Sequence, residues 1–585
     1  MPGVRQRLQG SDELQSRSSS SGANLLGLHC RGKLDAQTLA VMARAHAEDH
    51  PGETPADVAR MASAASTKKA PEGDKEIVDT RNVSRDLNRA FAKSRGQPAL
   101  PLVEMINIPL WDAVLEKPVD RPVAFLLPHL LLDNLAQAHG EQVFESTEAQ
   151  AQLKEELESW ADELSIDLAS GAPVIATGLW GDSAPYSTRD SIHLLILRTL
   201  MGATSVKWWV CAVTKRSICR CACNGRHTFN AIFNVLSWSF KAAAAGSHPK
   251  LDHLGQALRP QTRLGQLAAS GRHLRYRGAL LSVFGDWAWF KQVLGLCGWR
   301  GEGPSKRVCW KCHATLGDPC PCFDFREEAL WRRSPVGAAD FSVALLQAGE
   351  FASAIWGIPG LHVQHVRIDW MHVSCLGVVQ HVSGNIVWEL FAAMGGTQQK
   401  SASVCGKLLS MMRSMARELG TQMPITDLTI GMFRQPGKSP KMKLKAAEGR
   451  NFLILLRKVL VECFPAQTQH ETTRLACIDN LCNCYHELKT WNYDGTSTRA
   501  LARYGKRFLL LYMELRNTSD DERFWKLVPK FHMFAHLAAE ADMNPRDSWN
   551  YEMESMIGDA ASIASRCNVA HLQTALMKRY TLTWR

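Results

Sequence analysis

The stretch APVIATGLWGDSAPYSTRDSIHLLILRTLMGATSVKWWVCAV (172–213) decides the fold. It contains three short apolar runs, 172–181, 191–200 and 206–213, separated by pieces rich in turn residues. Runs of this length, bounded by Gly, Pro, Ser and Asp, read as strands of a buried sheet. Downstream, residues 226–244 place Phe229, Ile232, Phe233, Leu236 and Phe240 on one face of a helix. RGALLSVFG (277–285) then reads as a fourth strand, ending at Asp286. The order strand, strand, strand, helix, strand predicts a mixed α/β core.

The rest of the chain divides by texture. Residues 1–95 carry a serine run (18–21) and little periodicity, as expected of a disordered or low-complexity segment. A helical lead-in is expected over 96–168, where leucines and a tryptophan recur at three- and four-residue steps. The first part of the core spans 169–300, a cysteine-rich piece 301–330, a helical block 331–545 and a helical carboxy-terminal part 546–585. A chain of 585 residues exceeds what one hydrophobic core supports, so several domains are expected.

With 68 Lys and Arg against 57 Asp and Glu, the formal charge is +11, which favours a polyanionic partner only where the charge is clustered. Neither a signal-type segment nor a run of about 18 apolar residues is present, so the reading is an intracellular protein that does not enter a membrane. The 17 cysteines are odd in number and scattered, which suits reduced thiols or metal ligands better than a disulfide framework.

Several constellations could carry chemistry. Asp182 and Asp286 each follow a glycine at the end of an apolar run. Gly-Asp is good turn chemistry, but two acids at the ends of neighbouring strands could also bridge Mg²⁺ ions. CWKCHATLGDPCPC (309–322) crowds Cys309, Cys312, Cys320 and Cys322 with His313, and these four thiols are expected to bind one structural Zn²⁺. His313 is a substitute ligand, and buried free thiols are the alternative. CRCAC (219–223) is a second crowding that could supply a ligand.

Asp369 and His372, three residues apart in RIDWMHVSCLGVV (367–379), share one side of a helical turn, a spacing that by itself fits a surface hydrogen bond. FRQPGKSPKMKLKAAEGR (433–450) sets Arg434, Lys438, Lys441, Lys443, Lys445 and Arg450 against the single acid Glu448. Clustered lysines of this kind contact phosphate backbones by releasing counterions, and a solvated loop is the bland alternative. Late in the chain, His532 and His536 fall at helical spacing, and Glu552 and Glu554 open an apparent helix, where acids are favoured by the helix dipole alone.

Taken in order, GDSAPYS, GDWAWF followed by CWKC, DWMHV, PKFHMF and ESMIG resemble the catalytic region of CACTA (En/Spm-like) and related eukaryotic DDE/D transposases, over roughly residues 170–570. The resemblance implies an RNase H-like core interrupted by a large helical insertion. It implies Asp182, Asp286 and Glu554 as the three catalytic acids, with Glu552 a competitor for the third place. Asp369 and His372 match the family's Asp-x-x-His signature, and Cys309 and Cys312 its cysteine pair after the second acid. The implied activity is cutting and joining of DNA with two Mg²⁺ or Mn²⁺ ions, in the nucleus, by a protein that could self-associate. The Trp-Ala-Trp after Asp286 departs from the family's usual Pro-Ala, and no amino-terminal DNA-binding finger is visible. A catalytically inactive, transposon-derived nucleic-acid-binding or interaction protein is the alternative.

Overall fold

Each apolar run of the opening stretch folds as a strand. In the computed structural model the described residues are 103–139, 151–200, 206–302, 306–349, 352–488, 493–540, 544–546, 549–568 and 571–581, with short pieces at 39, 42–44, 67–69 and 76–78. The disorder expected over 1–95 therefore falls almost wholly outside the described residues.

Six strands form one mixed sheet: β1 (Glu104–Asp112), β2 (Lys117–Phe125), β3 (Val174–Pro185), β4 (Ser191–Thr199), β5 (Lys207–Thr214) and β6 (Arg277–Gly285), in the order β1-β2-β5-β4-β3-β6. β3, β4 and β5 make an antiparallel meander, and β6 returns parallel to β3. Beyond β6, Val366 bridges in parallel to Val283, so the chain touches the sheet edge once more.

The lead-in differs from expectation at its start. Residues 104–125 form the β1/β2 hairpin, and the helices α1 (Pro128–His139) and α2 (Ala151–Glu163) come only after it. Pro109, Pro118 and Pro122 bar a helix interior here, while alternate residues Ile108 and Leu110 turn into the core.

The strands are apolar on both faces because both faces are covered. Leu153, Leu157 and Trp160 of α2 pack with Val174, Ala176, Ala279 and Leu281 of β3 and β6. The neighbouring residues Ile175, Leu179, Leu280 and Val283 join the main core with Phe229, Phe233 and Phe240 of α3 (Arg226–Ala245). Burial of one such aromatic contributes roughly 1.5–3 kcal/mol.

After β6 the chain is mainly helical. A π-helical stretch, Met371–Val378, leads into α4 (Val379–Ala393), followed by α5 (Ser401–Glu418), α6 (Ala446–Cys463), α7 (Gln469–Glu487), α8 (Gly495–Asn517) and α9 (Pro529–Ala539). The last two helices return to the sheet. α10 (Tyr551–Ala564) packs on β3 and β4, and α11 (Leu572–Thr581) on β5 and β2, where Tyr580 stacks on Trp209 at 4.3 Å. No described helix is long and apolar enough to cross a membrane.

Candidate functional site

The parallel pairing of β3 and β6 sets Gly181 opposite Gly285, which brings Asp182 and Asp286 side by side at one end of the sheet. The two glycines serve close approach rather than a turn. A Cβ on Gly181 would lie 2.0 Å from the Trp289 ring, and one on Gly285 2.8 Å from the Gly181 carbonyl oxygen. Asp182 itself lies within β3, which runs on to Pro185, and its own register partner is Leu194. Asp286 opens the short helical turn that follows β6, its Oδ1 accepting the Trp289 N–H at 2.6 Å.

Two further elements reach the same place. His372, on the π-helical stretch, and Glu554, on α10, each offer an atom that lies with one from Asp182 inside a span of 4.8 Å. His372 Nε2 is 3.7 Å from Glu554 Oε1. Asp369 holds this pair in place. Its Oδ2 accepts the His372 N–H at 3.0 Å and faces the ring Nδ1 at 2.5 Å, while Oδ1 accepts the Met371 N–H at 3.0 Å and the Asn550 N–H at 3.1 Å. One buried carboxylate thus orients the imidazole and tethers the start of the helix that carries Glu554. π-helical turns of this kind are frequent at functional sites.

Glu552 and Glu554 are separated by this geometry. Glu552 points away, is 66% exposed and pairs with Lys207 of β5 at 2.7 Å. Glu554 turns into the cleft, where its buried Oε1 has no hydrogen-bond partner among the described residues.

The electrostatics match a crowded acidic site. Burial, then the charges of Asp286 and Glu554, push the Asp182 carboxyl up to about 8, against the Ser183 N–H and His372. His372 is raised despite its burial, by its bond to Asp369 and by the charges of Asp369, Asp286 and Glu554. A raised acid beside a buried carboxylate oxygen that accepts no hydrogen bond is a pattern that a divalent cation relieves.

A cavity of about 350 Å³ opens from this cleft, lined by Asp286, His372, Trp287, Trp299, Lys441 and Lys530. Lys530 donates to the carbonyls of His372 at 2.7 Å and Leu376 at 3.3 Å, and burial together with Lys441 brings its ammonium down to about 8. Lys441 and His381 also line an adjoining cavity with Lys438, Lys443 and Lys526. Residues 441–446 alternate, with Met442, Leu444 and Ala446 buried and Lys441, Lys443 and Lys445 exposed on the opposite side. Of the four lysines singled out in the sequence, Lys441 lines the cavity that holds Asp286, Lys438 and Lys443 line the adjoining one, and Lys445 stands at the start of α6.

The cysteine-rich piece builds a different centre from the one expected. Cys309 and Cys312 meet His532 and His536 of α9, all four buried and within 4.8 Å of one another. Cys312 Sγ is 3.3 Å from His532 Nε2 and 3.4 Å from His536 Nε2; Cys309 Sγ is 3.5 Å from His536 Nε2; the two Nε2 atoms are 3.2 Å apart. Around a tetrahedral zinc, ligand atoms stand roughly 3.3–3.8 Å apart, close to these values.

The outer nitrogens are tied as in metal-ligating histidines. His536 Nδ1 faces Glu540 Oε1 at 2.5 Å, and His532 Nδ1 faces the Cys322 carbonyl oxygen at 3.1 Å. Although burial opposes it, the Cys309 thiol is held well below its usual value by its bond to Cys312 and by His536.

Cys320 and Cys322, expected with Cys309 and Cys312, lie outside this four-residue group. Cys322 contributes its backbone carbonyl, while burial pushes its thiol up to about 12, and the Cys320 thiol lies 3.9 Å from the Ser334 hydroxyl. His313 faces Asp340 at 3.6 Å instead. The signal that could have led to the observed set is the pairing of Cys-x-x-Cys with His-x-x-x-His, two half-sites of the usual zinc spacing separated by most of the helical block.

The chain is thus a mixed α/β protein with a four-residue Cys/His centre able to hold a metal such as zinc and a separate acidic cleft at the end of its sheet. Compared with known protein families and with curated proteins, it finds no match.

Proposed function

We propose that this chain is a transposase-like DNA-cutting and DNA-joining protein of the DDE/D kind, with an RNase H-like core and Asp182, Asp286 and Glu554 as its three acids. The observation that carries the reading is the convergence of Asp182 and Glu554, from β3 and α10, on one cleft beside Asp286, where the buried Glu554 Oε1 accepts no hydrogen bond among the described residues and has only the His372 imidazole, 3.7 Å away, as an ionic neighbour. Support for the core comes from the placing of the acids: Asp182 near the end of the first strand of the meander β3-β4-β5, Asp286 directly after β6, and Glu554 beyond the helical block.

Asp182, Asp286 and Glu554 would hold Mg²⁺ or Mn²⁺, which when bound supplies charge stabilisation to the phosphodiester and lowers the pKa of the attacking water or hydroxyl. The chain's own residues do the rest. Asp369 fixes the His372 ring and the entry of α10, so the third acid is delivered from a rigid element. Lys441 and Lys530 face the same cavity as Asp286 and offer positive charge to a phosphate backbone, and Lys438 and Lys443 continue that surface. The buried Cys/His centre anchors α9, and with it Lys530, to the segment that follows the second acid. A nuclear location and self-association belong to the same proposal.

A second reading, an inactive DNA-binding relative, is favoured by one observation. His372, raised toward its charged form, stands next to Glu554 and can neutralise the acids without a metal. Strand cleavage of duplex DNA in Mn²⁺ separates the two. Wild type should nick DNA, and Asp182→Asn, Asp286→Asn and Glu554→Gln should each reduce nicking to background, while Glu552→Gln retains it. Salt-sensitive DNA binding with no nicking in any divalent metal would establish the second reading.

A further inference from the structure

A second group of residue types that ligate metals is distinct from the acidic cleft and from the Cys309 centre. Cys219, Cys221, Cys223 and His227 each offer an atom within 4.8 Å of the others. Cys219 Sγ is 3.1 Å from Cys221 Sγ, and His227 Nδ1 is 3.2 Å from Cys221 Sγ and 3.6 Å from Cys219 Sγ. We propose that these four residues form a second structural Zn²⁺ site, three thiolates and one imidazole, that orders the loop between β5 and α3.

Few of the loop's side chains turn inward. In ICRCACNGRH, Arg220, Cys221, Ala222, Asn224 and His227 are exposed, and only Ile218, Cys219, Cys223 and Gly225 turn inward before α3 begins. The backbone wraps tightly around the thiols. Ala222 (φ 67), Asn224 (φ 52) and Gly225 (φ 84) are all left-handed, a conformation that residues with a Cβ adopt at a cost and keep only when something holds them. At Gly225 a side chain has no room, since a Cβ would come 2.5 Å from Ile218 Cγ2. Three thiols turned to one point on such a wrap, with a histidine from the first turn of the following helix, supply the four ligands of a closed zinc site. The sulfur-rich set with one imidazole suits zinc rather than the hard cations that carboxylates prefer.

The site would brace a junction rather than take part in chemistry. The Cys219 N–H donates to the Thr228 hydroxyl at 3.1 Å, and that hydroxyl donates to the Pro109 carbonyl of β1 at 3.0 Å. Arg226 reaches across to the Val293 carbonyl at 2.9 Å, just beyond Asp286. A metal here would lock together the edge hairpin, the amino terminus of α3 and the segment after the second acid. The proposal stands independently of the DNA-cutting reading.

Metal analysis of the full chain, purified reduced and without chelator, tests it. Wild type should carry about two zinc ions per chain, one for each four-ligand set. Cys221→Ser combined with His227→Ala should lose one, and Cys309→Ser combined with Cys312→Ser should lose the other. Cys221 and His227 are exposed, so their replacement leaves the core intact. Wild type gives a second readout that needs no variant. Cys221 should be alkylated by iodoacetamide about tenfold more slowly in the protein as purified than after chelation, because a metal-bound thiolate is not free to attack. An unchanged zinc content in the Cys221/His227 variant, or equal alkylation rates before and after chelation, would each overturn the proposal.

Discussion

Asp182 answers the question that its sequence context raises. Gly-Asp after an apolar run is ordinary turn chemistry, yet Asp182 sits inside a strand, and the glycine before it clears space for Trp289. Its pH behaviour follows from its surroundings. The folded carboxyl is raised from 3.8 to about 8, so the folded state binds this proton more tightly than the unfolded chain does. Stability contributed by that proton is present below about pH 4, is lost as pH rises toward about 8, and then levels off. Asp182→Asn should flatten this part of the pH profile and raise the melting temperature of the metal-free protein at about pH 8.5 by a few degrees, as measured by calorimetry. Mn²⁺ should stabilise wild type more at about pH 8.5 than at about pH 6, since it competes with the proton, and should have little effect on the variant. A steeper loss of stability with rising pH in Asp182→Asn than in wild type would contradict this account. Which of Glu552 and Glu554 faces the cleft was not legible in the sequence, because both open the same helix; Lys207, far off in sequence, draws Glu552 outward.

At the level of elements, local patterns carried far. The runs at 172–181, 191–200, 206–213 and 277–285 and the helix at 226–244 match β3, β4, β5, β6 and α3 to within a few residues, because buried strands and one-faced helices write their periods locally. The β1/β2 hairpin is masked in the sequence by the leucine periodicity of α1 and α2 directly after it, and only Pro109, Pro118 and Pro122 mark it off from a helix. The pairing of Asp369 with His372 was visible as spacing, but not its reach to Asn550 and the start of α10. That reach makes Asp369 a positioning residue. Asp369→Asn keeps the size of the side chain and should weaken Mn²⁺ binding by about 10–100-fold, in the manner of lost outer-shell partners, with the protein still folded. Isothermal titration with Mn²⁺ checks this, and an unchanged affinity would show that Asp369 serves the fold alone.

Across the whole molecule, the interactions that matter join distant pieces of chain, which is why they were least legible. Cys309 and Cys312 find their partners on α9, more than two hundred residues away, and proximity in sequence had favoured Cys320 and Cys322 instead. The lysine segment, read as either a phosphate-binding stretch or a solvated loop, lies with Lys441 between the cavity that holds Asp286 and a basic one. Replacing Lys438, Lys441 and Lys443 together by Gln should weaken DNA binding at all sequences and lower the slope of log affinity against log salt by roughly 2–3, close to one for each phosphate that is no longer neutralised. An unchanged slope in fluorescence titrations would assign these lysines to solvent. In the proposed reading, three acids from β3, the end of β6 and α10 hold one divalent-cation site. Crystals of the full chain soaked in Mn²⁺ and measured at the manganese absorption edge test it most directly. Anomalous density is expected within reach of the carboxylate oxygens of Asp182, Asp286 and Glu554, and none in Asp182→Asn; manganese bound elsewhere, or bound here without Asp286 or Glu554, would rule out a shared three-acid site.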